Sequence, residues 1–102
     1  MVDRFVALSR DHLEASPSIA ELCRKAGLRH WTLLRAFQAI HATTPHRYLL
    51  ALRLDEVRRT LMSPQTQFET VTQVATRFGF HELGRFASQY RLRFDESPSQ
   101  NA

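Results

Sequence analysis

The sequence contains one cysteine, one lysine, three glycines and four prolines among 102 residues. The lone thiol, Cys23, rules out an intramolecular disulfide and any site built from several cysteines, and it favours a reducing compartment. So few glycines and prolines argue against a disordered chain. No stretch approaches the roughly 18 apolar residues that span a bilayer, and the charged start MVDRFVALSRD is not typical of a signal peptide. We therefore expect a small globular protein of the cytoplasm, with Cys23 in its core.

The charge that is present is basic and almost entirely arginine. The chain has 14 basic and 10 acidic residues, which gives a formal charge of +4, and 13 of the 14 basic residues are arginine. The planar guanidinium group suits phosphates and guanine edges. A high genomic G+C content would produce the same bias, so composition favours an anionic partner without identifying one.

Apolar residues recur every three or four positions, which predicts an all-α protein. Helix starts are indicated by capping spacings at Ser18 with Glu21 and at Thr70 with Gln73. Thr44-Pro45 and Ser97-Pro98 predict two further starts, since proline is tolerated in the first helical turn. Residues 63–69 are the one stretch that we predict as a loop.

These capping sites belong to an internal repeat. An offset of 52 residues superposes Ser18, Leu22 and Gly27 on Thr70, Val74 and Gly79, and an offset of 53 superposes Leu33, Phe37 and Pro45 on Phe86, Tyr90 and Pro98. Each copy is a short capped helix, a glycine turn and a longer amphipathic helix. That order is typical of a helix-turn-helix unit, in which the glycine takes the left-handed conformation. A plain helical hairpin explains one copy, but it explains two matched copies poorly.

Three segments carry a resemblance to a known family: IAELCRKAGLRHWTLLRAFQ, TPHRYLLALRLDEVRR and VTQVATRFGFHELGRFASQYRLRFDESPSQ. They resemble the DNA-binding domain of the AraC/XylS family of regulators, most specifically from Ala75 through Ser99. The resemblance implies about seven helices in two homeodomain-like helix-turn-helix subdomains joined by a long connector helix. It implies that the second helix of each unit enters one of two successive major grooves of double-stranded DNA. It also implies that an effector-sensing or dimerisation domain, present in most members, is missing from this chain.

We predict a first subdomain over residues 1–44, a connector helix over 45–63 and a second subdomain over 64–102. The connector has an apolar stripe that should pack against both subdomains and set their separation. Its members are Tyr48, Leu49, Leu52, Val57 and Leu61.

Helical geometry divides the first recognition helix into a buried and an exposed face. Leu28, Leu33, Phe37 and Ile40 should face the core. The remaining face offers base contacts from His30, Trp31, Leu34, Arg35 and Gln38. By resemblance Trp31, Leu34 and Arg35 match the main groove contacts, and Arg35 could hold guanine O6 and N7 together. Solvated surface for His30 and Gln38, and core packing for Trp31, are the structural alternatives.

The second recognition helix has an apolar stripe of Phe80, Phe86, Tyr90 and Phe94. The face left for bases carries Glu82, Leu83, Gly84, Arg85 and Ser88. Arg85 and Ser88 are the expected readers, and Gly84 would allow close backbone approach. Glu82 could accept from cytosine N4, or it could instead stabilise the helix dipole.

Phosphate contacts are expected from arginines and a histidine at the edges of these faces. The candidates are Arg29, Arg47, Arg77, His81, Arg91 and Arg93. Simple surface charge is the alternative for the arginines, and capping or ordinary packing is the alternative for His81. Two departures from the family pattern, Leu34 and Arg29, predict that the first helix contacts fewer bases and more phosphate.

No catalytic or metal-binding constellation is evident. His30, His41, His46 and His81 are spread over different predicted helices or caps, and no nucleophile motif contains Cys23 or a serine. We therefore expect no enzyme, no cofactor and no metal. The predicted function is sequence-specific DNA binding by a nucleoid-associated transcription regulator, with activation as the family's usual role and RNA polymerase as a candidate partner. The competing hypothesis is a helical module that docks its arginines on an acidic protein surface.

Overall fold

The computed structural model describes residues 2–14 and 17–102, and every regular element in those ranges is helical. Seven α-helices follow one another along the described chain, which confirms the predicted all-α class. They are α1 (Val2–Asp11), α2 (Ile19–Ala26), α3 (His30–His41), α4 (Pro45–Leu61), α5 (Val71–Arg77), α6 (Leu83–Phe94) and α7 (Pro98–Asn101).

Helices α2, α4 and α5 begin at the positions that their capping residues predict. Ser18 accepts the backbone N–H of Glu21 at 3.1 Å, and Thr44 accepts that of Arg47 at 3.2 Å. Thr70 and Gln73 complete a reciprocal capping box with distances of 2.8 and 3.1 Å. These bonds satisfy N–H groups that a helix start leaves without partners. At the start of α2 the Ser18 hydroxyl also donates to the Glu21 carboxylate, at 3.4 Å.

Both glycine turns have the expected left-handed backbone, with φ of 71° at Gly27 and 90° at Gly79. Two residues with side chains share this conformation, Ala42 with φ of 53° and Asp95 with φ of 57°. They follow α3 and α6 directly, so both recognition helices end in the same way.

Contacts along the chain group into two compact units, Met1–Leu52 and Arg53–Ala102, hereafter unit 1 and unit 2. The boundary lies inside α4, so residues of the predicted connector are divided between the units. Leu49 packs in the core of unit 1, and Leu54, Val57 and Leu61 are buried residues of unit 2.

The core of unit 1 is formed by α1, α2, α3 and the first half of α4. Its buried residues are Val2, Phe5, Leu22, Cys23, Leu33, Phe37 and Leu49. The Phe37 ring meets Phe5 edge-on at 5.6 Å and Tyr48 at 5.2 Å between ring centroids. Such edge contacts add to the free energy of burying the rings. They fix which side of α3 faces inward.

In unit 2 the buried side chains come from α5, from the turn that follows it and from α6. Val74, Ala75, Phe78, Phe86 and Tyr90 are all buried. The Tyr90 hydroxyl donates to Asn101 Oδ1 at 2.5 Å, which satisfies a polar group that would otherwise be costly to bury. This bond also ties α7 to α6.

Residues 63–69 are more ordered than the predicted loop. Pro64–Thr66 form a short 3-10 helix capped by Ser63, and the Thr66 hydroxyl donates to the carbonyl oxygens of Thr60 and Ser63. Pro64 does follow the end of α4, as its missing N–H predicted. The segment is therefore a turn anchored on the preceding helix.

Candidate nucleic-acid interface

The exposed face of α3 carries the predicted set of side chains. Trp31 is 68% exposed, Arg35 and Gln38 are exposed, and Leu34 is half-buried between them. Together with Ala39 they line a shallow surface depression. His30 is exposed at the first position of the helix. Core packing of Trp31 is thereby excluded, and the indole is available to a partner.

The buried face of α3 is shorter than the sequence predicted. Leu33 and Phe37 are fully buried, and Leu28 packs against the core from the turn. The prediction for Ile40 is wrong, because this side chain is 65% exposed. Ile40 lies in the last turn of α3, where His41 contacts the Phe37 ring at 4.7 Å between ring centroids, so correct helical phase does not bury Ile40.

The start of α3 is positioned by the glycine turn. Leu28 N–H donates to the carbonyl oxygen of Cys23 at 2.8 Å across Gly27. Arg29 is the N-cap residue and its side chain makes no capping bond. The first turn of α3 therefore begins with an uncapped end and an exposed guanidinium group.

The exposed face of α6 is smaller and more polar than that of α3. Leu83, Gly84, Arg85 and Ser88 are all exposed, with Leu83 at 39%. Ser88 Oγ donates to the carbonyl oxygen of Gly84 at 3.2 Å, a bond within the helix that water or a base edge can replace. On the opposite side, Phe86 and Tyr90 are buried while Phe80 and Phe94 are half-buried.

Glu82 has a structural role that its sequence position only partly revealed. It is the N-cap of α6, and its carboxylate accepts from Gly84 N–H at 3.1 Å and from Arg85 N–H at 2.8 Å. The helix-dipole interpretation of this residue thus has a geometric basis. A Cβ on Gly84 would lie 3.3 Å from Glu82 Oε1, which is closer than an ordinary contact. Gly84 therefore makes room for the carboxylate.

The predicted phosphate contacts fall into two groups. Arg29, Arg47, His81 and Arg91 are exposed. Arg77 is partly buried and forms an ion pair with Glu69. Arg93 donates to both carboxylate oxygens of Asp55, at 2.7 and 2.9 Å, and this hydrogen bonding raises the pKa of Arg93. Arg77 and Arg93 are thus paired with carboxylates, whereas the ion pairs found among the described residues include none of Arg29, Arg47 and Arg91.

Two exposed residues of α3 were missed by the sequence analysis. Thr32 and Ala39 line the surface beside Trp31 and Arg35. Their spacing from Arg35, three residues before it and four after it, places them on the same face and was sufficient to find them. Small and hydroxyl side chains are suited to contact with thymine methyl groups and base edges.

Other chemistry is poorly supported in the described part of the chain. No cluster of three or more histidine, cysteine, aspartate or glutamate side chains there could hold a metal ion. Burial raises the pKa of the Cys23 thiol, which disfavours the reactive thiolate. None of the described helices has both the length and the apolar character that crossing a membrane requires.

The chain is similar in sequence to a family of helix-turn-helix domains and to curated regulatory proteins. Residues 22–101 match the family model described as a helix-turn-helix domain. The chain is 35% identical over 97 residues to "XylDLEGF operon transcriptional activator 2" of Pseudomonas putida, covering 95% of this chain and 62% of that protein. It is 36% identical over 100 residues to "Probable thc operon regulatory protein" of Rhodococcus erythropolis, covering 94% of this chain and 30% of that protein.

Among solved structures, the chain is similar to a transcriptional regulator from Chromobacterium violaceum, described as an AraC-type DNA-binding domain-containing protein. The TM-score is 0.88 at 26% sequence identity, over 98% of this chain and 87% of that chain. The match extends over both units. The chain spans 30% of the length of the Rhodococcus relative and 62% of that of the Pseudomonas relative.

Proposed function

This chain belongs to the AraC/XylS family of helix-turn-helix DNA-binding domains, and we propose that it recognises a specific duplex by placing α3 and α6 in successive major grooves. The matched module is a DNA-binding domain of transcription regulators and not an enzyme.

The observation that carries the proposal is the exposed face of α3. A tryptophan that is 68% exposed lies one helical turn from an exposed arginine, on a helix whose other side is buried. Trp31 and Leu34 form an apolar patch beside Arg35 in one depression, and an apolar patch with polar groups at its rim is typical of an interaction surface. A major groove offers the ring thymine methyl groups or sugar, and it offers the guanidinium group the paired acceptors of guanine.

We assign base contacts in unit 1 to Arg35 above all, with Trp31 and Leu34 as apolar contacts and His30 and Gln38 as hydrogen-bonding neighbours. In unit 2 the corresponding contacts are Arg85 and Ser88, with Leu83 at the edge and Gly84 admitting close approach of the backbone. Glu82 is kept as a capping residue of α6 in this assignment. Phosphate contacts are assigned to the exposed set of Arg29, Arg47, His81 and Arg91.

The names of the relatives support a regulatory role for the whole protein. One is called an operon transcriptional activator and another an operon regulatory protein. We propose that this chain supplies the DNA-binding part of such a bacterial regulator, acting in the cytoplasm as an activator. An effector-sensing or dimerisation domain and a contact with RNA polymerase complete this proposal.

The experiment is in vitro selection from a random duplex library, followed by titration of the selected duplex and a scrambled duplex at several salt concentrations. We expect a bipartite site of about 16 to 20 base pairs, because two adjacent major-groove contacts are one turn apart. Arg35→Ala and Arg85→Ala should each weaken binding to the selected duplex by about 1 to 3 kcal/mol and relax sequence preference in a different half of the site.

Arg59→Ala is the matched control. Arg59 is an exposed arginine on α4 that pairs with Glu56 at 2.9 Å, and its removal should lower affinity for both duplexes alike. Binding that shows no sequence preference and disappears as salt rises would contradict the proposal. Such a result would favour the competing module that docks on an acidic protein surface.

A further inference from the structure

The two recognition helices begin with opposite charges at equivalent positions. α3 and α6 both contain 12 residues, and an offset of 53 superposes His30–His41 on Leu83–Phe94. The same offset superposes their N-cap residues, Arg29 and Glu82. Arg29 makes no capping bond, whereas Glu82 bonds two N–H groups of its own helix. The N-cap position is thus equivalent in the two helices, but its side chain is basic in α3 and acidic in α6.

This inversion matters because helix N-termini are favourable places for DNA phosphates. Free N–H groups and the helix dipole attract anions there. In α6 the N–H groups of Gly84 and Arg85 are already bonded to the Glu82 carboxylate. A phosphate approaching this end meets a fixed negative charge instead of free donors. In α3 it meets exposed Arg29.

Gly84 shows that the carboxylate is accommodated closely against the helix. Any larger residue would place a Cβ 3.3 Å from Glu82 Oε1, so the carboxylate would have to shift by a few tenths of an ångström. The pair therefore holds an anion at the start of α6, directly before the exposed reading residues Arg85 and Ser88.

We propose that Glu82 is a specificity-determining residue, which penalises contact of α6 with DNA phosphates and so makes binding by unit 2 depend on correct base contacts. This inference rests on the proposed DNA-binding function. Glu82 acts by repulsion, which lowers affinity for every duplex whose bases do not compensate. Arg29 does the reverse in unit 1, where it strengthens binding to any sequence.

The test compares Glu82→Gln and Glu82→Ser with the unaltered chain on the duplex recovered by in vitro selection and on a random-sequence duplex. Glutamine and serine both keep an oxygen that can cap the helix, and both remove the charge. We expect binding to random duplex to strengthen by about two- to fivefold, the usual effect of one charge at a helix end. The salt dependence should steepen by up to about 0.9 in log–log slope, which is the effect of one further phosphate contact.

Binding to the selected duplex should strengthen less, so the ratio of the two affinities falls. Glu21→Gln is the matched control, because Glu21 lies in the first turn of α2 and accepts from the Ser18 hydroxyl at 3.4 Å. It makes the same change in net charge without altering the start of α6. Arg29→Ala should act in the opposite direction and weaken binding to random duplex.

Four outcomes would overturn the inference. Random-duplex affinity and salt slope could stay unchanged while only thermal stability falls, which would make Glu82 a helix cap and no more. Glu21→Gln could reproduce the whole effect, which would reduce it to net charge. The unaltered chain could show no sequence preference, in which case the proposed function fails as well. A sequence preference that is undiminished in both Glu82 variants would contradict this inference alone.

Discussion

The two units share one plan for their buried residues and differ at the exposed ones. Leu33 and Phe37 of α3 occupy the same places as Phe86 and Tyr90 of α6, and all four are buried. Exposed positions have diverged much further, as the N-cap pair Arg29 and Glu82 illustrates. Packing restricts the size and polarity of a buried side chain, while an exposed side chain is restricted only by what it contacts. The divergence therefore lies where recognition of two different half-sites would require it.

Among the buried positions that the two units share, Phe37 and Tyr90 should give the largest loss of stability when they are truncated. Phe37 and Tyr90 are both 0% exposed, so Phe37→Ala and Tyr90→Ala should each destabilise the chain by about 3 to 5 kcal/mol. Urea denaturation followed by circular dichroism measures the loss. Leu92→Ala is the control, since Leu92 is 87% exposed and its truncation should change stability by less than about 0.5 kcal/mol. A small effect at either aromatic position would mean that the cores of the two units are not equivalent.

The equivalent residues Phe37 and Tyr90 differ chemically by the Tyr90 hydroxyl, and removing this group tests what it contributes to stability. Tyr90→Phe removes its bond to Asn101 and should cost about 0.5 to 1.5 kcal/mol at neutral pH. Burial raises the pKa of Tyr90 to about 12, so the folded state keeps this phenol neutral at a pH where the unfolded chain ionises it. The stabilisation is complete below pH 10 and is lost as pH rises towards 12.

The two proteins should therefore converge in stability between pH 10 and 12. Parallel denaturation midpoints measured across that range provide the check. A difference that stays constant with pH would show that the hydroxyl is not protected from ionisation in the folded chain.

Much of this architecture could be predicted from the sequence, because local signals decide helix starts, turns and the phase of a buried stripe. The capping hydroxyls and the two left-handed glycines are examples. The prediction for Ile40 was wrong because helical phase does not say where a core ends along the helix axis. The Pro64–Thr66 turn was missed because its stability comes from bonds made by Thr66 to the carbonyl groups around it.

Part of the candidate site could also be predicted from the sequence. The exposed stripe of α3 follows from helical periodicity, so the sequence alone was enough to place Trp31 and Arg35 on it. The pairing of Arg93 with Asp55 could not be predicted, because it joins residues 38 positions apart on different helices. Nor could the capping geometry of Glu82, whose carboxylate lies 3.3 Å from the place of a Cβ on residue 84.

The residues that end the two recognition helices offer a smaller comparison. Ala42 and Asp95 both have positive φ, a conformation that costs alanine more than aspartate. Ala42→Gly should stabilise the chain by about 0.4 to 1 kcal/mol, and Asp95→Gly should do so by less. Thermal unfolding provides the measurement. Ala39→Gly, at an exposed position inside α3, should instead destabilise by about 0.5 to 1 kcal/mol. Destabilisation by Ala42→Gly would contradict the strain at that position.

The smallest expected effect concerns how the end of each recognition helix is held. Arg93 of α6 donates two hydrogen bonds to Asp55 of α4, whereas Ile40, its equivalent in α3, is 65% exposed. Because both partners in the ion pair are 40% exposed, water screens their attraction. A double-mutant cycle with Arg93→Ala and Asp55→Ala should give a coupling of about 0.5 to 1 kcal/mol, the upper half of the range for surface pairs, because the contact is bidentate.

That coupling should shrink when salt is added, and Ile40→Ala should change stability by less than about 0.5 kcal/mol. Arg59 and Glu56 provide the matched pair, since they make one bond of 2.9 Å and Arg59 is 75% exposed. Their coupling should be no more than about 0.3 to 0.5 kcal/mol. Equal couplings in the two cycles would show that the bidentate contact adds nothing. A larger coupling for Arg93 would mean that unit 2 holds α6 against α4 by an ionic contact at the position where α3 presents only an exposed apolar side chain.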